Sequence, residues 1–225
     1  MTQSPPQQSD KRQTWRSRLA DIAAASPVLL WCVFGLGGSV YALQNRLDAG
    51  DGLMLATRIA NMAFLAALVF FILLRRPPHA KGEGLAPRLS GAAGFAAPML
   101  LLLVAPAVPL APLPLVAALL SCLGATGALF VLLWLGRAFA ITPQARGLVT
   151  GGPYRYARHP LYAAELALVA GAALMSQQPW GALIFALSAA MQFVRMAYEE
   201  KVLARAYPQY AEYARRTARL IPGVY

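Results

Sequence analysis

The chain has 225 residues, of which 58% are hydrophobic and only 13% charged, and it carries a formal net charge of +11. A soluble domain has about a quarter of its residues charged, so this balance excludes one and points to a polytopic membrane protein without a separate soluble domain. The positive charge does not call for nucleic acid, because the Lys and Arg residues flank apolar runs instead of clustering on one folded face, and anionic lipid accounts for them.

In chain order, Met1 to Asp10 is polar and is predicted to be disordered. Trp15, Leu19 and Ile22 then recur at helical spacing beside Arg12, Arg16 and Arg18, which suits a helix lying on the membrane surface. Residues 1–26 thus read as a cytosolic N-terminal arm with an interfacial helix. The arm is too long and polar for a signal peptide, so the apolar run behind it is expected to remain as an anchor.

Six apolar runs approach the roughly 20 residues needed to cross a bilayer: Val28 to Leu43, Leu53 to Leu74, Leu89 to Ala105, Leu113 to Leu135, Pro160 to Met175 and Trp180 to Met196. The predicted fold is an all-α, polytopic transmembrane helical bundle. It has five to six membrane helices, a C-terminal helical hairpin and a cytosolic tail helix. Residues 27–135 form a four-helix transmembrane region, and residues 136–225 form the C-terminal region. The last two runs are the shortest and only Ser176 to Pro179 separates them, so they read as a tight hairpin that could be tilted, re-entrant or just spanning.

Within the runs, Gly35, Gly37 and Gly38 and the group Ser121, Gly124, Ala125 and Ala128 read as small-residue packing faces. Arg58 can snorkel from the second run, and Pro98 should kink the third. Cys32 and Cys122 have no Cys or His at ligand spacing, so packing roles are expected and no metal site is indicated. Apart from Arg46 and Arg58, every Lys and Arg falls in a segment that shares one side if there are six crossings, which predicts both termini cytoplasmic.

The chemistry-bearing residues concentrate after Gly136. Helical periodicity stops near Ile141, where Thr, Pro, Gln and Gly take over. Pro160 suits the first turn of the next helix, which tolerates a missing N–H. His159 would then stand at the helix entrance beside backbone N–H groups able to receive an anion. Tyr162 and Glu165, three apart, share a face. At the far end of the hairpin Arg195 and Glu199 share another, while Glu200 points about 100° away, so the two carboxylates can do different jobs. The plainer alternatives are a solubilising charge cluster at a helix end and, for Tyr207, Tyr210 and Tyr213, a packing stripe.

The ordered series Leu148-Val149-Thr150, Gly152-Pro153-Tyr154-Arg155-Tyr156, Arg158-His159-Pro160 with Tyr162, Glu199-Glu200 with Leu203, then Tyr210, Tyr213 and Leu220-Ile221-Pro222 resembles the isoprenylcysteine carboxyl methyltransferase family. This family belongs to a broader integral-membrane methyltransferase group that includes the phospholipid methyltransferases. The resemblance covers roughly Gly136 to Tyr225; the first three runs match only in hydropathy. It implies S-adenosyl-L-methionine as cofactor, bound on the cytosolic side by Tyr154, His159, Pro160, Tyr162, Glu199 and Glu200. Ala164 stands where many members have Gly, and Glu165 where a small or apolar residue is common.

That cofactor carries an ammonium, a carboxylate, a ribose diol and a sulfonium. Glu199 or Glu200 can take the ammonium or diol, Arg158 or the helix entrance the carboxylate, and tyrosines the sulfonium or adenine. A carboxylate nucleophile needs no base, whereas an amine or thiol does, and His159 or Glu165 can serve. Arg158, Glu165 and Arg195 are therefore the catalytic candidates.

The expected partners are the bilayer and a lipophilic acceptor: a prenylcysteine-like carboxylate, another lipophilic carboxylate, a thiol or an amino phospholipid. The Ala, Leu, Arg and Pro bias suits a bacterial inner membrane. Two other readings stay open. The Arg219-to-Tyr225 ending also resembles sterol-reductase-like oxidoreductases that use a nicotinamide cofactor, and a non-catalytic lipid-binding protein would keep the same charges for solubility.

Overall fold

The computed structural model describes residues 15–45, 52–96, 98, 113–176 and 178–223. The expected disorder of Met1 to Asp10, the Arg46 loop and the course of the third run beyond Pro98 lie outside them. The described chain is mostly helical: α1 (Trp15–Ala24), α2 (Ser26–Asn45), α3 (Gly52–Leu74), α4 (Ala86–Ala96), α5 (Leu113–Leu135), α6 (Pro160–Ser176), α7 (Pro179–Ala206) and α8 (Tyr210–Arg216). Two-residue strands β1 (Ala80–Lys81) and β2 (Gln144–Ala145) pair antiparallel, with Ala80 opposite Ala145.

Among the described residues three helices are long and apolar enough to cross a membrane: Gly52–Leu74, Pro114–Ala138 and Pro179–Ala206. Arg18–Ala24 and Ser26–Tyr41, bent by 59°, make a fourth when counted as one broken span. At 17 residues, α6 rises only about 25 Å and is shorter than these helices, and the third run beyond Pro98 lies outside the described residues. Of the expected five to six spans, three or four are present among the described residues by length and composition. Leu30, Phe34, Phe70, Leu123, Phe130 and Leu183 are exposed on these helices. So broad an apolar surface would be a liability in water and is the surface a bilayer covers. The chain is an integral membrane protein.

The core lies where α2, α3 and α5 meet, around Cys32, Leu68, Ile72, Ala128 and Leu132. Cys32 is fully buried there. Close approach of α5 to α6 depends on small residues: a Cβ at Gly124 would collide with the Leu168 backbone, and one at Gly171 with Ser121. The packing face read from Ser121 to Ala128 is thus present. Of the three glycines in the first run, only Gly35 meets a neighbour, since a Cβ there would stand 3.1 Å from Leu65 Cδ1 while Gly37 and Gly38 face open space.

At the basic end of the bundle, α1 is tied down by ions. Asp21 pairs with Arg75 Nε at 2.7 Å and with Arg146 Nη2 at 2.8 Å. The Asp21 carbonyl also accepts from Arg75 Nη2 at 2.7 Å. Arg146, only 1% exposed, further donates to Gln144 and to the Arg76 carbonyl. Three distant segments therefore share one carboxylate. Asp21→Ala strands two buried guanidinium groups. The expected loss is about 3 kcal/mol, the low end for breaking a buried pair because Asp21 keeps some contact with solvent. Unfolding in mixed micelles titrated with dodecyl sulfate checks it.

Candidate functional site

Two glycines shape the connector between α5 and α6. Gly136, with φ 55°, ends α5 in a conformation that L side chains rarely adopt. Gly152, with φ 57°, opens a single 3-10 turn over Gly152–Arg155, and any Cβ there would collide with the Trp134 ring. Pro153 lies in the first residues of that turn, and Tyr154 is buried by it. Pro160 is the first residue of α6, as its ring geometry predicts.

The backbone just ahead of α6 is not free. A strap from the C-terminal end of the chain runs alongside it in a parallel bridge between Ala157 and Ala218. Arg158 N–H donates to the Ala218 carbonyl at 2.9 Å and His159 N–H to the Arg219 carbonyl at 3.0 Å. The backbone N–H groups of Arg158 and His159 are therefore taken by the strap. The side chains continue the tie. Arg158 Nε and Arg219 Nε each lie 3.1 Å from Glu200 Oε1, and His159 Nε2 is at the same distance. Arg158 also donates to the Ala214 and Thr217 carbonyls at the end of α8.

Glu199 faces the other way. Its Oε2 accepts from Tyr162 O–H at 2.6 Å. The Tyr162 ring stacks on His159 with centroids 5.4 Å apart and 12° between planes, and Arg195 Cζ lies 4.8 Å from the Tyr162 centroid. Arg195 donates to Gln192 Oε1 at 2.9 Å and to the Ile141 carbonyl at 3.0 Å, while Gln192 Nε2 donates to Glu165 Oε2 at 2.7 Å.

These groups border a cleft of about 670 Å³, counting its open mouth. Of the residues singled out from sequence, Tyr154, Arg158, His159, Tyr162 and Glu199 line it, joined by Leu203, Tyr210 and Tyr213. Pro160 starts the helix behind the wall, Glu200 anchors the strap, and Glu165 and Arg195 connect to the wall through Gln192 and Tyr162. Sequence reasoning passed over Gln192, whose signal was a lone amide inside an apolar run three residues before Arg195. It also missed the pairing of Arg219 with Glu200, for which the linear chain holds no signal.

Burial pushes the Tyr154 and Tyr210 phenols up and raises Tyr213 to about 12. All three keep their protons at neutral pH, so the cleft offers ring faces and O–H groups, not phenolates. Tyr213 O–H donates to the Tyr154 carbonyl at 2.7 Å, whereas the buried Tyr210 hydroxyl has no hydrogen-bond partner among the described residues. A buried hydroxyl left alone costs free energy and suits a site completed by a polar ligand. Among the described residues no group of three His, Cys, Asp or Glu could hold a metal ion.

Residues 111–210 match the family model of the phospholipid methyltransferases. This bears out the resemblance to the integral-membrane methyltransferase group, and the matched stretch contains α6, α7 and all the cleft-lining residues except Tyr213. Over 76 residues, 33% of the chain, it is 40% identical to the cobalt-zinc-cadmium resistance protein CzcN of Cupriavidus metallidurans and 37% identical to the nickel-cobalt-cadmium resistance protein NccN of Alcaligenes xylosoxydans xylosoxydans. The aligned stretch spans 35% and 36% of the length of those relatives.

If Glu200 is the anchor of the strap, Glu200→Gln removes the charge from three hydrogen bonds, each of which is worth about 1.5–3 kcal/mol when charge-assisted. Hydrogen exchange of the Arg158 and His159 amides should then quicken by tenfold or more. Unchanged protection would show that the strap is held elsewhere.

Proposed function

We propose that the chain is an integral-membrane methyltransferase using S-adenosyl-L-methionine and a lipophilic acceptor that arrives from the bilayer. The observation that carries this reading is the meeting of Glu199, Tyr162, His159, Tyr154 and the tail tyrosines around one cleft, within the stretch that matches the phospholipid methyltransferase model. The donor set fits the cofactor. Glu199 supplies a carboxylate for an ammonium or a diol, the tyrosine rings supply faces for a sulfonium or adenine, and the Tyr210 hydroxyl supplies an unused hydrogen bond. On this reading residues 136–225 are the cofactor-binding region, residues 27–135 the remaining spans and residues 1–26 a cytosolic arm. The protein makes six crossings of a bacterial inner membrane with both termini in the cytoplasm.

When bound, the cofactor would supply a sulfonium-activated methyl group for in-line attack by an acceptor lone pair, with the neutral thioether as the leaving group. The chain's task is alignment and exclusion of water, which account for most of the acceleration in such a displacement. Tyr162 holds Glu199 at 2.6 Å and is itself sandwiched between His159 and Arg195, so the carboxylate is aimed before any ligand arrives. Of the two groups able to take a proton from an amine or thiol acceptor, Glu165 is held by Gln192 behind the wall, so we assign the task to His159, which lines the cleft. A carboxylate acceptor, such as a prenylcysteine-like compound, would need no base. Arg158 acts through the strap, not on the ligand. Arg195 positions Tyr162.

The relatives' names concern metal resistance. At this cleft the single histidine is engaged by Glu200 and no cysteine is present, a donor set that favours methyl transfer over metal ligation. Calorimetric titration of the detergent-solubilised protein with S-adenosylhomocysteine should give saturable binding. Glu199→Gln should weaken it about ten- to hundredfold, the loss of one charged hydrogen bond, while leaving the protein folded. Absence of binding by folded wild-type protein would overturn the reading. Methyl-labelled cofactor added to membranes then identifies the acceptor by the lipid that takes up label.

A further inference from the structure

Gln192 lies on the buried face of α7, three residues before Arg195 and seven before Glu199, so the three side chains share one helical face. Its amide is oriented by its partners. A guanidinium has only donors, so the Gln192 carbonyl turns to Arg195 Nη1 at 2.9 Å. The amide nitrogen then faces α6 and donates to Glu165 Oε2 at 2.7 Å. A guanidinium and a carboxylate are thus held with one amide group between them. Ionisable groups at membrane depth ordinarily pair with one another, and here the amide stands in the way.

The separation preserves the place of the guanidinium. Its stem is pressed against α4, where a Cβ at Gly94 would stand 2.4 Å from Arg195 Cδ, so the head moves by pivoting. In its present place the head lies 4.8 Å from the Tyr162 centroid and gives Nη2 to the Ile141 carbonyl at 3.0 Å. Its Nε is buried without a partner among the described residues. A carbonyl and a ring face compete poorly with a carboxylate, whose charge-assisted hydrogen bonds are roughly twice as strong as neutral ones. Tyr162 O–H in turn holds Glu199 Oε2 at 2.6 Å. A guanidinium drawn off the ring therefore loosens the side chain that aims Glu199 at the cleft.

We propose that Gln192 is a positioning residue. It satisfies Glu165 and Arg195 separately, keeps the guanidinium from closing on Glu165, and so maintains Arg195 on the Tyr162 ring and Tyr162 on Glu199. The consequence for ligand binding rests on the methyltransferase reading of the cleft, whereas the place of Arg195 does not.

Gln192→Met keeps an unbranched side chain of similar length and removes both hydrogen bonds. Arg195 is then expected to swing to Glu165, and S-adenosylhomocysteine binding to weaken about tenfold, a coupling of the size found between neighbours in one network. Adding Glu165→Gln removes the charge that draws the guanidinium away and should restore binding close to the wild-type value. A packing role predicts the opposite, since the double variant has lost more native contacts than the single one. Meta-fluorotyrosine placed at Tyr162 reports the guanidinium without any ligand: its fluorine resonance should shift in Gln192→Met and return in the double variant. Where Gln192→Met does not fold, the exchanged pair Gln192→Glu with Glu165→Gln serves. Its carboxylate on α7 holds Arg195 in place and accepts from the amide on α6, so wild-type binding and resonance are expected. Wild-type binding or an unmoved resonance in Gln192→Met overturns the proposal. So does a double variant that binds as weakly as the single one, or an exchanged pair that loses binding and resonance together. Folded wild-type protein that binds no S-adenosylhomocysteine removes the methyltransferase reading, and the fluorine shifts still decide the role of Gln192.

Discussion

Glu200 Oε1 receives Arg158, Arg219 and His159, each at 3.1 Å, and through them one oxygen joins the start of α6, the lower end of α7 and the strap behind α8. Two cations share the carboxylate, so neither its desolvation nor theirs is left uncompensated. The wall of the cleft follows from this. Arg158 reaches on to the last carbonyls of α8, a favourable place for a cation, and so fixes the helix that brings Tyr210 and Tyr213 to the cleft. Glu199, one residue earlier, is thereby free of scaffold work and can face the interior. Adjacent carboxylates on a helix point about 100° apart, and here one holds the walls while the other lines the space between them.

A second polar chain runs deeper, from Glu165 through Gln192 to Arg195 and the Tyr162 ring. Ionisable groups at membrane depth are expensive unless they pair and face the protein interior. Arg195 meets that condition on three sides: Gln192, the Ile141 carbonyl and the Tyr162 face. Its aliphatic stem is packed so closely against α4 that a Cβ at Gly94 would collide with it. The guanidinium Nε remains buried without a partner among the described residues. Such an arrangement holds Tyr162 rigidly, because the arginine has little alternative space, and rigid support is what a preorganised site requires.

The parts of this structure legible in the sequence are those set by local periodicity. Apolar runs marked α3, α5 and α7, the ring of Pro160 marked the start of α6, and helical angles separated Glu199 from Glu200. The small residues from Ser121 to Ala128 announced a packing face because no other use suits them in a membrane helix. Long-range pairing was not legible. Arg75 and Arg146 read as charges that set orientation, yet both close on Asp21 from far along the chain. Arg158 read as a receiver of the cofactor's carboxylate, yet its guanidinium closes on Glu200 and on two carbonyls at the end of α8. Periodicity reports which face of a helix a residue occupies and says nothing about which loop will lie against that face. Gly37 and Gly38 show the same limit from the other side, since small residues permit close approach without ensuring that a neighbour arrives.

The stretch that resembles known methyltransferases does not build its surroundings alone. β1, from the linker between α3 and α4, pairs with β2 in the connector and sets the course of residues 144–149 past the cleft mouth. Gly94 brings α4 against Arg195, and Asp21 holds Arg146 in the same connector. Residues outside the matched stretch therefore brace the connector and α7 from behind, while the cleft itself is lined from within the stretch, Tyr213 excepted. Bracing of this kind can change without replacing the groups that face the cleft, so on the proposed methyltransferase reading acceptor preference can diverge through it while Glu199, Tyr162 and Tyr210 keep one geometry.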